Sequence, residues 1–418
     1  MTANSTRIEK LHAESIIFDG HCDTLITIRD GERKLGRRCQ PQPEGDVLSS
    51  QHLDLPRLLE GGVTAQTFAC FIRPQFLPSD ATNEALRLID AFYRAVDDDP
   101  DKLRLATRAS DVEQAKAEGQ VAGVLSLEGA EALEGDLAVL RSFYRLGLRA
   151  VGLTWNFRNR AADGLDEART GGGLTEFGVK LLREANRLGI LLDVAHLAPA
   201  GVRDVLKLSE APVVASHANA RALCEHRRNL SDEQLEGIAS TGGLVAVTYV
   251  PNFVAQDGQK ASLERVLDHI DYIVKTIGLD HVGLGSDFDG FGGTLPGLED
   301  VSRLPVPLIL LLCVLLPACQ ETETLPVETP TLKMQPPTTP PVITIKQELE
   351  EQLDMLRALV KAEKGRGKDL SQVESWLDEA EQALQSNDLL PAREKLREAG
   401  EALGVELPVT SAASSSKN

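Results

Sequence analysis

Residues 174–196, LTEFGVKLLREANRLGILLDVAH, run a helical pattern directly into a short strand. Phe177, Leu181, Leu182, Ala185 and Leu188 recur at the three-to-four spacing of one helix face, and the run ILLDV that follows is short, apolar and fit for a strand. The same alternation extends in both directions. Apolar, β-branched runs occur at about 16–22 (IIFDGHC), 63–71 (VTAQTFACF), 121–127 (VAGVLSL), 150–155 (AVGLTW), 190–196, 212–217 (PVVASH), 244–250 (LVAVTYV) and 281–286 (HVGLGS). Between most of them lie amphipathic helical segments, such as ASLERVLDHIDYIVKTIG at 261–278. Eight strands alternating with helices favour an α/β fold of the (β/α)8 TIM-barrel type over an open doubly wound sheet, which the count alone leaves open. No Gly-rich phosphate loop follows the first strand.

The chain has 418 residues, enough for one large domain and a smaller appendage. Hydrophobic residues make up 42% and charged residues 26%, the balance of a folded soluble protein. A net charge of -19 excludes nucleic acid as the expected partner, because a phosphate backbone needs clustered Lys and Arg. The six cysteines, at 22, 39, 70, 224, 313 and 319, form no CxxC pair and suggest neither a disulfide framework nor a zinc knuckle. The N-terminal MTANSTRIEKLHAES lacks the apolar core of a secretory signal, which points to the cytoplasm.

Barrel sequence stops at about residue 303. The run LPVPLILLLCVLLPAC at 304–319 is strongly apolar but short for a bilayer span, and it matches the h-region of a signal peptide. Its end, Leu316-Pro317-Ala318-Cys319, resembles the lipobox of a bacterial lipoprotein, so a fusion or join near 303 is expected. Membrane contact through 304–319 is the alternative to a cytoplasmic protein. A Thr/Pro-rich linker at 320–345 leads to an expected α-helical hairpin at 346–404, and the tail 405–418 reads as disordered.

Chemistry gathers at the strand ends. His21 and Asp23 are two apart and so leave the first strand on one face. Glu128 follows the third strand, His196 ends the fifth, His217 ends the sixth and Asp287 ends the eighth. A barrel assembles its active site at the C-terminal ends of its strands, so these sequence-distant groups are expected to converge. Imidazoles and carboxylates together suit zinc. A carboxylate such as Glu128 can bridge two cations, with His21 and Asp23 completing one position and His196 and His217 the other. Two such ions bring the pKa of a shared water near 7.

Asp19-Gly20-His21-x-Asp23, Glu128-Gly129, Asp193-x-Ala195-His196, Ser216-His217, Arg227-Arg228-Asn229 and Asp287-Phe288-Asp289-Gly290 resemble, in order and context, the membrane dipeptidase family of zinc peptidases over about residues 10–302. The resemblance implies two zinc ions per subunit held by His21, Asp23, Glu128, His196 and His217. It implies that Arg228 grips the carboxylate of a dipeptide substrate, that Asp287 and Glu128 are catalytic, and that the protein is a homodimer. Dipeptides with a D-residue at the C-terminal side fall within the expected range.

Two departures from the family stand out. Trp155 occupies a position where animal members have histidine, so Trp155 and Asn156 are expected to make substrate contacts there, with Asn159 as an alternative to Asn156. The family also continues past LEDVSRLP with a helical segment that closes the barrel, and this chain does not. A lost helix would uncover apolar barrel surface at about 25 cal/mol per Å2. The competing readings are another binuclear-metal amidohydrolase, and an inert truncated barrel fused to a lipid-anchored helical module.

Overall fold

A computed structural model of the chain describes residues 10–304 except 42–46 and 48–49, together with residues 370–385 and separate positions between 353 and 403. The chain divides into two compact units, 1–323 and 324–418. The apolar segment expected at 304–319 (apart from Leu304), the linker 320–345 and the tail 405–418 lie outside the described residues.

The described residues of the first unit form nine strands: β1 (Phe18–Cys22), β2 (Ala65–Phe71), β3 (Leu103–Leu105), β4 (Val121–Glu128), β5 (Leu148–Gly152), β6 (Leu191–Asp193), β7 (Val213–Ala215), β8 (Leu244–Val247) and β9 (Val282–Leu284). All pairings are parallel, and β1, β2, β4, β5, β6, β7, β8 and β9 close into a ring when β9 pairs back to β1 through Asp19 and Leu284. This is the eight-stranded barrel that the alternation predicts. The ninth strand, β3, pairs with the first residues of β4 and stands outside the ring. Its three residues, LRL, are too few to carry a periodic signal.

Most residues of the ring strands are buried, which explains their largely apolar character. Six of the seven residues of β2 are buried. The helix Glu176–Leu188, read from its spacing, buries Leu181, Leu182 and Ala185, and it starts at Thr175, whose hydroxyl accepts the Gly178 N–H at 3.0 Å. The helix Leu263–Ile277 turns Val266, His269, Ile270 and Ile273 to the core. On β1 the alternation points Asp19 and His21 inward, and the Asp19 carboxylate accepts the Ser286 N–H and hydroxyl at 2.8 and 2.6 Å. That bond ties β1 to the segment after β9.

Coverage is weakest where the last helix is expected. Among the described residues of this unit no α-helix follows β9. All three residues of β9 are only half-buried, and Phe18 at the start of β1 and Ile16 just before it are 45% and 48% exposed.

In the second unit, the helix Ser371–Gln385 buries Val373, Leu377, Ala380 and Leu384 in one cluster with Leu353, Leu356, Val360, Ala392, Leu396 and Ala399. Among the described residues no helix is long and apolar enough to cross a membrane.

Candidate active site

Every chemically active residue read from the strand ends reaches the same end of the barrel. His21 lies near the end of β1 and Asp23 just beyond it, Glu128 is the last residue of β4, and His196, His217 and Asp287 follow β6, β7 and β9. Each is at least nine-tenths buried. His196 and Asp287 have φ of 66° and 64°, a left-handed backbone that ends the strand and turns the side chain over the barrel mouth.

The two carboxylate oxygens of Glu128 face different partners. Oε2 is 3.4 Å from His21 Nε2, while Oε1 is 3.1 Å from His196 Nε2 and 3.9 Å from His217 Nε2. On the first side His21 Nε2 is also 3.4 Å from Asp23 Oδ2 and 3.9 Å from Asp287 Oδ1. On the second side the two Nε2 atoms of His196 and His217 are 2.9 Å apart.

Charge follows the same division. Burial works against a charged His21, but the carboxylates of Glu128 and Asp23 outweigh it and hold its pKa well above the usual value. Burial likewise opposes the ionised Glu128, yet His21 and His196 keep its carboxyl well below the ordinary carboxylate range. Burial raises Asp23 to about 6, and the Glu128 charge adds to it. Asp287 is pushed well up by burial, with the charges of Asp23 and Glu128 reinforcing the shift against the pull of His21. His196 is lowered to about 4 by burial and Arg228, and His217 is lowered well below its usual value by burial and His21. Two neutral imidazoles beside a shared carboxylate are good cation ligands.

The donor set fits divalent metal. His21 Nε2, Asp23 Oδ1 and Glu128 Oε2 are buried without a hydrogen-bond partner among the described residues, and buried polar atoms rarely stay so. His21, Glu128 and His217 offer ligand atoms within 4.8 Å of one another, as do His21, Asp23 and Asp287. A cation here would take the place of the protons that burial favours on Asp23 and Asp287.

Beside this cluster lies a cavity of about 470 Å3, lined by Asp23, Glu128 and His196 on its polar floor. Ile26, Phe71, Pro74 and Trp155 line it with apolar surface, as do Val250 and Phe253. Arg228 is also in its wall. The guanidinium is buried, donates to the His217 carbonyl at 3.1 Å, stands 5.4 Å from the Phe253 ring and leaves Nε without a partner among the described residues. Burial pulls its pKa down, and the charges of Asp287 and Glu128 oppose that.

A family model described as membrane dipeptidase (peptidase family M19) matches residues 5–316. The chain belongs to the membrane dipeptidase family. An uncharacterized dipeptidase of Schizosaccharomyces pombe is 37% identical over 314 residues, covering 72% of this chain and 75% of the relative. A metallo peptidase from Rhodobacter sphaeroides, solved with a phosphinate mimic of the dipeptide L-Ala-D-Ala, is 32% identical and has a TM-score of 0.63 over 74% of this chain and 94% of that one. A further metallo peptidase, dipeptidase AC, is 34% identical with a TM-score of 0.64 over 74% of this chain and 93% of that one. The match to the dipeptidase family runs past residue 303, where the sequence reading places a join, and ends within the apolar run.

The two polar residues near Trp155 that the sequence offers as substrate contacts make different bonds. Asn156 lines the cavity, but its Oδ1 sits 2.9 Å from His196 Nδ1 and so orients that ring. Asn159, the alternative, is turned away: its amide donates to the Leu153 carbonyl and accepts the N–H groups of Ala161 and Ala162. Trp155 stands 5.2 Å from Phe71 and 6.0 Å from His196, as an apolar wall of the dipeptidase cavity. Sequence reasoning gave no role to Ile26, Phe71 or Phe253; apolar residues in short helices and at a strand end resemble core residues until the cavity is seen.

Proposed function

We propose that this metallodipeptidase binds two zinc ions, one held by His21 and Asp23 and the other by His196 and His217, with Glu128 between them. The observation that carries this reading is the division of the two Glu128 oxygens between His21 and the His196–His217 pair. When bound, two divalent cations polarise the scissile carbonyl and acidify water.

The chain's own residues supply the rest. Arg228 has a free Nε and a rigid fork, suited to a substrate carboxylate through parallel hydrogen bonds. Anchoring there fixes which peptide bond lies over Glu128, and it limits substrates to those whose free carboxylate is one residue away. Trp155, Phe71 and Ile26 exclude water from the cavity and pack the substrate side chains. Asp287, which the charge of bound cations would keep ionised against the burial that raises it, takes the proton of the attacking water and delivers it to the leaving amine nitrogen, so that H and OH add across the broken C–N bond.

The test is amino-acid release from L,L and L,D dipeptides and their carboxyl-amidated forms, with zinc and then with chelator. Chelator-sensitive cleavage of free dipeptides alone supports the reading; equal cleavage of amidated substrates would move it to another amidohydrolase. The family likeness favours a homodimer, and a cytoplasmic location is proposed separately, with membrane contact through 304–319 as the alternative. Light scattering and detergent partitioning test these.

A further inference from the structure

Asp193, Ser216 and His217 form a hydrogen-bonded chain that the dipeptidase reading does not use. Asp193 closes β6 and is 8% exposed. Its Oδ1 accepts the backbone N–H groups of Ala195 and Ser216 at 3.0 and 2.9 Å, which fixes the carboxylate between the ends of β6 and β7. Its Oδ2 accepts the Ser216 hydroxyl at 2.5 Å, and that same Oγ lies 2.7 Å from His217 Nδ1.

Directions follow from what each group can do. A carboxylate only accepts, so the hydroxyl proton points to Asp193 and the Oγ lone pairs face His217. His217 Nδ1 must then carry the ring proton. The lone pair is left on Nε2, which is 2.9 Å from His196 Nε2 and 3.9 Å from Glu128 Oε1. His196 has a weaker orienting partner, because the Asn156 amide can offer either an oxygen or an NH2 group to Nδ1. The carboxylate behind Ser216 has no such freedom. Negative charge passed through a hydrogen bond also makes the ring a better donor to a cation.

We propose that Asp193, acting through Ser216, is a positioning residue that locks the His217 tautomer with its lone pair on Nε2 and so tightens the second cation position. The proposal rests on the reading of His217 as a metal ligand. Asp193→Asn is the informative variant, since the two backbone donors hold the amide oxygen at the Oδ1 position and place NH2 against Ser216. The serine proton then turns to His217 Nδ1, and the ring proton moves to Nε2, aimed at His196.

The experiment measures zinc content and zinc dissociation constants of the full chain by chelator competition, and the His217 tautomer by nitrogen NMR of histidine-labelled protein without zinc. For Asp193→Asn we expect one of two zinc ions bound about 10- to 100-fold more weakly, and an Nε2–H tautomer. Ser216→Ala should weaken the same ion, and Ser216→Thr, which restores a hydroxyl, should recover it; this pair reads the chain even where Asp193→Asn does not fold. His217→Ala is the control and should lose one zinc. If it keeps both, the ligand reading falls and the proposal with it. If it loses one while Asp193→Asn and Ser216→Ala hold zinc as the wild type does, the ligand reading stands and the relay is overturned.

Discussion

His269 shows how far burial alone can bias a titrating group. The Ala220 N–H donates to its Nδ1 at 3.2 Å, and its Nε2–H donates to the Val254 carbonyl at 3.1 Å, a pairing that requires the neutral ring. Burial pulls its pKa below 6.5, against the opposing Val254 bond. A folded pKa below the unfolded one gives stability that is present above about 6.5 and is lost as pH falls through the folded value. The melting temperature of the wild type should therefore drop more steeply than that of His269→Gln between pH 7.5 and pH 5; parallel curves would contradict this. Arg228 makes the second prediction at this scale. Arg228→Lys keeps the charge but not the fork, and should raise KM for dipeptides about 10- to 100-fold, the loss of about 1.5–3 kcal/mol of charged hydrogen bonding, with a smaller change in kcat. Steady-state kinetics would contradict this by showing kcat as the parameter that falls. The metal-site candidates were legible at residue scale because His, Asp and Glu at the ends of apolar strands have few other uses. Asn156 and Ser216 were not legible in their orienting role, because a hydrogen bond to a neighbour's ring leaves no periodic trace.

Elements were read well where a pattern repeats and poorly where only a few residues carry them. The run 190–196 reads as one strand, yet β6 ends at Asp193 because His196 takes a left-handed turn. β3 was missed altogether. Caps are local and can be tested locally. Ser231 starts the helix Asp232–Ser240, accepting the Gln234 N–H while Gln234 Oε1 accepts the Ser231 N–H at 3.0 Å. Ser231→Ala should cost about 1 kcal/mol in thermal unfolding. A loss far above that would mean that the neighbouring Arg228 loop depends on the cap. A close approach sets a stricter demand at Gly285, where a Cβ would lie 1.9 Å from the Ser216 carbonyl. Gly285→Ala should displace the backbone beside His217 and lower zinc content as well as stability; unchanged zinc content in a folded variant would show that the strand ends yield independently.

At the scale of the whole molecule, closing the ring brings Asp23, Glu128 and Asp287 to one barrel mouth, where the charges of Asp23 and Glu128 both act on Asp287. Their mutual repulsion is relieved by a cation, so chelation should lower the melting temperature and added zinc should restore it. The shift corresponds to about 2.7 kcal/mol when free metal is 100 times its dissociation constant. A melting temperature indifferent to chelator would mean that these carboxylates are satisfied by protons instead.

The sequence by itself determined the alternation that closes a barrel and the identity of the polar groups at its mouth, since both are written in local periodicity and residue type. It also carried the family resemblance. Only the tertiary structure decided which Glu128 oxygen faces which histidine, that Asn159 is spent on its own loop, and that Asp193 reaches His217 through Ser216. The first and last of those facts depend on side-chain direction across segments far apart in the sequence, which shear and strand tilt set when the ring closes and which no local pattern encodes.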